Sequence, residues 1–203
     1  MPASPKIIGG KFGFPTQLHG APSSPNFLAG DPLLLFNARS GIRLLIEQLQ
    51  PRTTWLPSYL CPTILSAVDP RLTRVAFYAV DSALQTDLES FLPSVEPGDL
   101  CLAIDYFGFP CAHATLEAMQ AQGAWLMRDF SQALFQDWQT EPGDFFLYSP
   151  RKFLGVPDGG ILHARAGVSL LRPTLLPPDH AVMAPLFWAL LLRREFDHYG
   201  GGR

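Results

Sequence analysis

The chain has 203 residues, of which 47% are hydrophobic and 16% charged, a balance that supports one sizeable packed core and excludes a disordered polymer. A formal net charge of −3 gives no broad attraction to nucleic acid or to an anionic membrane surface. Three cysteines (Cys61, Cys101, Cys111) without a CxxC pair fit reduced thiols in a cytoplasmic setting and argue against a disulfide framework.

Residues 1–32 are rich in Gly, Pro and Ser and follow no period, so they read as an irregular arm suited to lying on a partner subunit, with no signal peptide. Across 40–49, Ile42, Leu45, Ile46 and Leu49 fall on one helical face, with Ser40 as the N-cap and Pro51 as the stop. Residues 53–57 read as a strand, 61–68 as a helix opened by Pro62, and 74–80 as a second strand. A short helix at 87–92 and a Pro97-Gly98-Asp99 turn lead into a strand at 100–106, then a helix at 112–122 closed by Gly123. Strands at 124–128, 144–148 and 159–163 follow. The alternation predicts an α/β three-layer sandwich with a mostly parallel sheet, in which ligands sit beyond the carboxyl ends of the strands. Ser58-Tyr59, Asp105-Tyr106, Asp129 and Ser149 occupy those ends. The most apolar stretch, 183–192, is too short to span a bilayer and reads as a buried or interface helix in a C-terminal segment covering 181–203.

Four segments carry candidate chemistry. The chain has three lysines, and Lys6 and Lys11 lie in the leader, so Lys152 is the one lysine of the folded body. Held among Phe153, Leu154 and Val156, its amine would be partly desolvated, which favours the neutral form able to attack an aldehyde; a surface lysine in a loop is the plainer alternative. Asp129 could pair with a protonated ring nitrogen and Gln132 could hold a ring substituent, or Asp129 could simply cap a helix. Ser40 and Gly41, at a helix start, suit a phosphate, with Ser149 able to add a hydroxyl; ordinary capping would use the same residues. Tyr59 could stack on a ring face or pack in the core.

In this order, Ser40-Gly41, Pro57-Ser58-Tyr59, Asp105-Tyr106-Phe107-Gly108, Asp129-x-x-Gln132-Ala133, Ser149-x-x-Lys152 and Asp158-Gly159-Gly160 resemble the DegT/DnrJ/EryC1/StrS aminotransferases, from about Phe36 to Arg165. The resemblance implies a fold-type-I large domain at 33–180 that binds pyridoxal 5'-phosphate, with a Schiff base on Lys152, Asp129 and Gln132 beside the cofactor ring, and Ser40, Gly41 and Ser149 at its phosphate. It also implies transfer of an amino group, with glutamate as donor, to a nucleotide-linked keto sugar, and a homodimer. Three features depart from the family pattern: Ile42 stands where the family has threonine, Cys61 lies nearest the family's stacking aromatic or histidine, and the separation from Ser149 to Lys152 is three residues where the family often has five. The family continues into a C-terminal domain, whereas this sequence ends after one apolar helix, which keeps a non-catalytic cofactor binder or dimer partner as an alternative and a lyase or decarboxylase as another. The five histidines show no metal-ligand spacing, and dinucleotide, P-loop, GxSxG and HExxH motifs are missing.

Overall fold

The computed structural model describes residues 12–13 and 25–199, so most of the N-terminal arm, its expected packing on a partner, and the tail from 200 lie outside the described residues. A seven-stranded sheet forms the middle layer, built from β1 (Leu33–Leu35), β2 (Thr53–Pro57), β3 (Arg74–Tyr78), β4 (Leu100–Ile104), β5 (Trp125–Asp129), β6 (Phe145–Tyr148) and β7 (Gly160–Ala164) in the order β1-β7-β6-β5-β4-β2-β3. From β3 through β6 the neighbours are parallel, while β7 runs antiparallel to both β6 and β1. The helices α1 (Ala38–Leu49), α2 (Leu88–Phe91) and α3 (His113–Ala121) cover its faces, and α4 (His180–Tyr199) follows the sheet.

The alternation of side chains along β4 sorts the layers. Leu100, Leu102 and Ile104 point into one core with Ile42, Leu45 and Ile46 of α1, whereas Cys101 and Ala103 point into a second core with Phe91, Leu116 and Met119. Every residue of β2, β4 and β6 is buried, as expected of strands covered on both faces. At the amino ends of the strands, buried Asp99 accepts hydrogen bonds from Thr53 N (3.0 Å), Trp55 Nε1 (3.0 Å) and Glu96 N (3.1 Å), fixing β2 to the turn before β4.

The structure corrects two local expectations and adds two details. The N-cap of α1 is Asn37, not Ser40: Asn37 keeps an extended backbone and its side chain accepts from Ser40 N, as asparagine does well at this position. The segment opened by Pro62 is a 3-10 helix, Pro62–Ala67, too short to bury a full α-helical face. β1 is a three-residue edge strand without an alternating pattern of its own, and it exists through its pairing with β7 (Leu33↔Leu162). The apolar run at 183–192 belongs to the longer α4, and only part of it is buried, with Leu190 1% and Trp188 63% exposed. No helix among the described residues is long and apolar enough to cross a membrane.

Candidate functional site

A cavity of about 300 Å³ opens beyond the carboxyl ends of β2, β4, β5 and β6 and is walled on one side by the start of α1. Open α/β sheets leave their ligand crevice in this place. Five of the seven residues singled out from the sequence line it: Tyr59, Asp129, Gln132, Ser149 and Lys152. Ser40 and Gly41 do not. Ser40 faces an adjoining hollow that shares Asn37 and Arg39 with the first. Gly41 is buried against the sheet, where an added Cβ would sit 2.7 Å from Leu147 Cδ1 and 3.3 Å from Leu35 Cδ1, so this glycine lets α1 lie close on β6 and β1.

Asp129 is the last residue of β5 and is buried; its Oδ1 accepts from Ser131 N at 2.7 Å, and no hydrogen bond to Oδ2 is found among the described residues. That turn starts the segment carrying Gln132, whose Oε1 accepts from Phe107 N at 3.0 Å. Phe107 holds a left-handed backbone (φ 56°), a conformation costly for a bulky side chain, and the Gln132 bond helps retain it. Tyr106 donates its hydroxyl to Tyr59 O, and the two rings lie 5.4 Å apart, tying the turn after β4 to the turn after β2.

β6 delivers Ser149 and then a single 3-10 turn, Pro150–Lys152. Ser149 is buried, and its hydroxyl has no hydrogen-bond partner among the described residues although it borders the cavity. Lys152 is exposed, and Leu154 beside it is exposed too, so Phe153, Leu154 and Val156 do not cover the amine as expected. Next to β7, Gly160 passes under the start of α1: an added Cβ there would lie 2.5 Å from Ala38 N, with the Asn37 carbonyl closer still. The Asp158-Gly159-Gly160 element thus sets the distance between α1 and the strands that carry Ser149 and Lys152.

Sequence reasoning assigned no role to Arg39, Cys61, Thr63 or Arg151, which also line the cavity. Cys61 is exposed, and its Sγ lies 3.1 Å from Thr63 Oγ1; hydrogen bonding to Thr63, with help from the Lys152 and Arg39 cations, holds the thiol below its ordinary range. Arg39 donates to Thr63 Oγ1 at 3.3 Å. Arg39 stands inside the Arg39-Ser40-Gly41-Ile42 segment at the helix start, where the backbone and dipole suit a phosphate. Of the strand-end residues, Ser58 and Asp105 turn away: Ser58 Oγ accepts from Val80 N at 3.0 Å, and Asp105 is buried against Arg128, with bonds of 2.6 and 2.9 Å.

Comparison with solved structures identifies the architecture. A GDP-4-keto-6-deoxy-D-mannose-3-dehydratase of E coli with bound hydrated PLP aligns over 68% of this chain and 40% of its own, with TM-score 0.56 and 16% identity. The fold is shared with PLP-bearing chains. A Streptococcus pneumoniae protein provisionally described as a sugar aminotransferase, Spr1654, in its PLP form, aligns over 80% of this chain and 55% of its own, with TM-score 0.58 and 13% identity. A NifS-like protein aligns over 82% and 54%, with TM-score 0.61 and 16% identity. This chain therefore spans about half the length of the structures it matches. No protein-family model and no curated protein sequence matches it.

The residues present fit pyridoxal phosphate. A buried carboxylate and a buried hydroxyl beside a helix start, each with an oxygen free of hydrogen bonds among the described residues, face the same cavity as an amine.

Proposed function

We propose that residues 33–180 are the cofactor-binding large domain of a pyridoxal-phosphate-dependent aminotransferase, with Lys152 as its cofactor lysine. The observation that carries this reading is the convergence of Asp129, Ser149 and Lys152 on one cavity at the carboxyl ends of two adjacent parallel strands, β5 and β6. When bound, the cofactor supplies an electron sink for the carbon that gains or loses the amino group. Lys152 would hold the cofactor through its amine and would move a proton at Nζ. Asp129 Oδ2 would keep the pyridine nitrogen protonated, Gln132 would hold a ring substituent, and Tyr59 would cover a ring face. Ser149 would hold the phosphate beside the start of α1, where the family resemblance also puts Ser40 and Gly41. Exposure of Lys152 in the single chain fits a site completed by a second subunit, as does the proposed homodimer. A nucleotide-linked keto sugar as acceptor, glutamate as donor and a cytoplasmic setting rest on the family resemblance; residues 181–203 would lead towards a smaller domain.

Exposure of Lys152 supports a second reading, a cofactor binder or dimer partner without turnover of its own. A third, lyase-type reading draws on the likeness to a Burkholderia pseudomallei sphingosine-1-phosphate lyase (TM-score 0.55, 14% identity). The test is a visible spectrum of the chain with added pyridoxal phosphate, beside Lys152→Ala, followed by borohydride and peptide mapping. A band that borohydride traps on the Lys152 peptide supports the assignment; a trapped cofactor elsewhere, or none in a folded chain, refutes it. Amino transfer from glutamate to a keto sugar then separates the aminotransferase from the other two readings.

A further inference from the structure

The cavity lining holds three cations, Arg39, Arg151 and Lys152, against the single carboxylate of Asp129. Such a surplus suits an anion. Arg39 sits in the first turn of α1, a twelve-residue helix whose opening N–H groups lack intrahelical acceptors and carry the positive end of the helix dipole. Asn37 takes up the N–H of Ser40 and leaves the earlier positions to other acceptors. Independently of the helix, the Ser149 side chain is 2% exposed, borders the cavity and has no hydrogen-bond partner among the described residues. A cavity-facing hydroxyl in that state can donate to a ligand oxygen or to water. Arg39 itself makes one hydrogen bond, to Thr63 Oγ1, and no ion pair among the described residues, so most of its guanidinium donors remain free. The neighbouring wall residue, Ile42, is apolar and offers no hydroxyl.

We propose that Arg39 is the charge partner of a phosphate monoester seated between the start of α1 and the Ser149 hydroxyl. The cation replaces in charge what Ile42 cannot give in hydrogen bonding, and Thr63 holds the guanidinium over the cavity. This assignment rests on the proposed cofactor site but concerns only its anionic end, so it can be tested without bond formation at Lys152.

Calorimetric titration of the full chain with inorganic phosphate, and separately with pyridoxal phosphate and unphosphorylated pyridoxal, provides the readout. Arg39→Gln is expected to weaken phosphate and pyridoxal phosphate about tenfold or more, the scale of a lost charge-assisted bond, while leaving pyridoxal unchanged. Arg39→Lys should recover part of the loss. Thr63→Val, which removes the tether but no charge, should change phosphate affinity by no more than about twofold. Lys152→Ala should abolish the visible band yet retain phosphate binding. The proposal is overturned if wild type binds no phosphate, if Arg39→Gln binds it as wild type does, or if pyridoxal and pyridoxal phosphate weaken together. Arg39-dependent phosphate binding without any lysine-bound cofactor would remove Lys152 from its role and leave that of Arg39 standing.

Discussion

Removing the Asp105 carboxylate should destabilise the chain far more than removing both partners of its ion pair. Arg128 and Asp105 have fully buried side chains, and Arg128 Nη2 bonds both carboxylate oxygens, at 2.6 and 2.9 Å. The guanidinium also lies over the Phe130 ring, 5.0 Å from its centroid, and donates to Pro142 O at 3.1 Å. Asp105→Ala strands a cation in this setting, which costs about 3–5 kcal/mol. Against a total stability of about 5–15 kcal/mol, that is a large fraction. Asp105→Leu with Arg128→Met removes both charges and fills the space with apolar atoms. Glu141, 3.4 Å from Arg128, then loses one neighbour but keeps Gln136 (2.7 Å) and His113 (3.3 Å). The double variant should therefore lose only about 1–2 kcal/mol, with a coupling of about 2 kcal/mol or more between the sites. Urea unfolding followed by tryptophan fluorescence measures wild type, Asp105→Leu, Arg128→Met and the double variant as one cycle, with Asp105→Ala beside them. A loss below about 1 kcal/mol for Asp105→Ala, or additive effects in the double variant, would refute the reasoning.

Gly160→Ala should destabilise the fold by about 3 kcal/mol or more and weaken cofactor binding together with it, because its methyl group meets the backbone of Asn37 and Ala38; urea midpoints and cofactor titration report both. Cys61 should be alkylated first, and at lower pH than an ordinary thiol, since its thiolate is favoured; burial pushes Cys101 up to about 12 and Cys111 up to about 11, so both should stay unlabelled in mass spectra of the native chain. Thr63→Val should slow the Cys61 reaction. Burial lowers His163 below its ordinary value, so the unfolded chain takes up a proton first as pH falls, and stability contributed by neutral His163 is present above about 6.5 and lost below it. Comparing unfolding free energies at pH 7.5 and 5.5 should show a smaller difference in His163→Gln than in wild type.

Periodicity made the parallel strands and two of the helices legible because each buries residues at a regular spacing, as in β4 and α1. It could not reveal the direction of β7 or the existence of β1, whose pairing depends on partners more than a hundred residues away. The same limit governed the site. Asp129, Gln132, Ser149 and Lys152 stand at strand ends that local pattern can locate, and they line one cavity. Ser40 and Asn37 compete for the cap by similar chemistry, and only backbone geometry decides between them. Exposure of Lys152 was hidden for a different reason: apolar neighbours in sequence, such as Leu154, need not cover a side chain in space.

The clasp formed by β7 has a consequence for synthesis. Every residue lining the cavity lies between Asn37 and Lys152, yet α1 and β6 are held in register by a strand, Gly160–Ala164, that comes after all of them. A ribosome making this chain completes each wall before it makes the piece that joins the walls. Until β7 threads between β1 and β6, the start of α1 lacks its fixed spacing from the groups at the ends of β5 and β6. Capacity for the ligand should thus arrive in one late step of vectorial folding, set by docking of the last strand and not by the appearance of any chemical group.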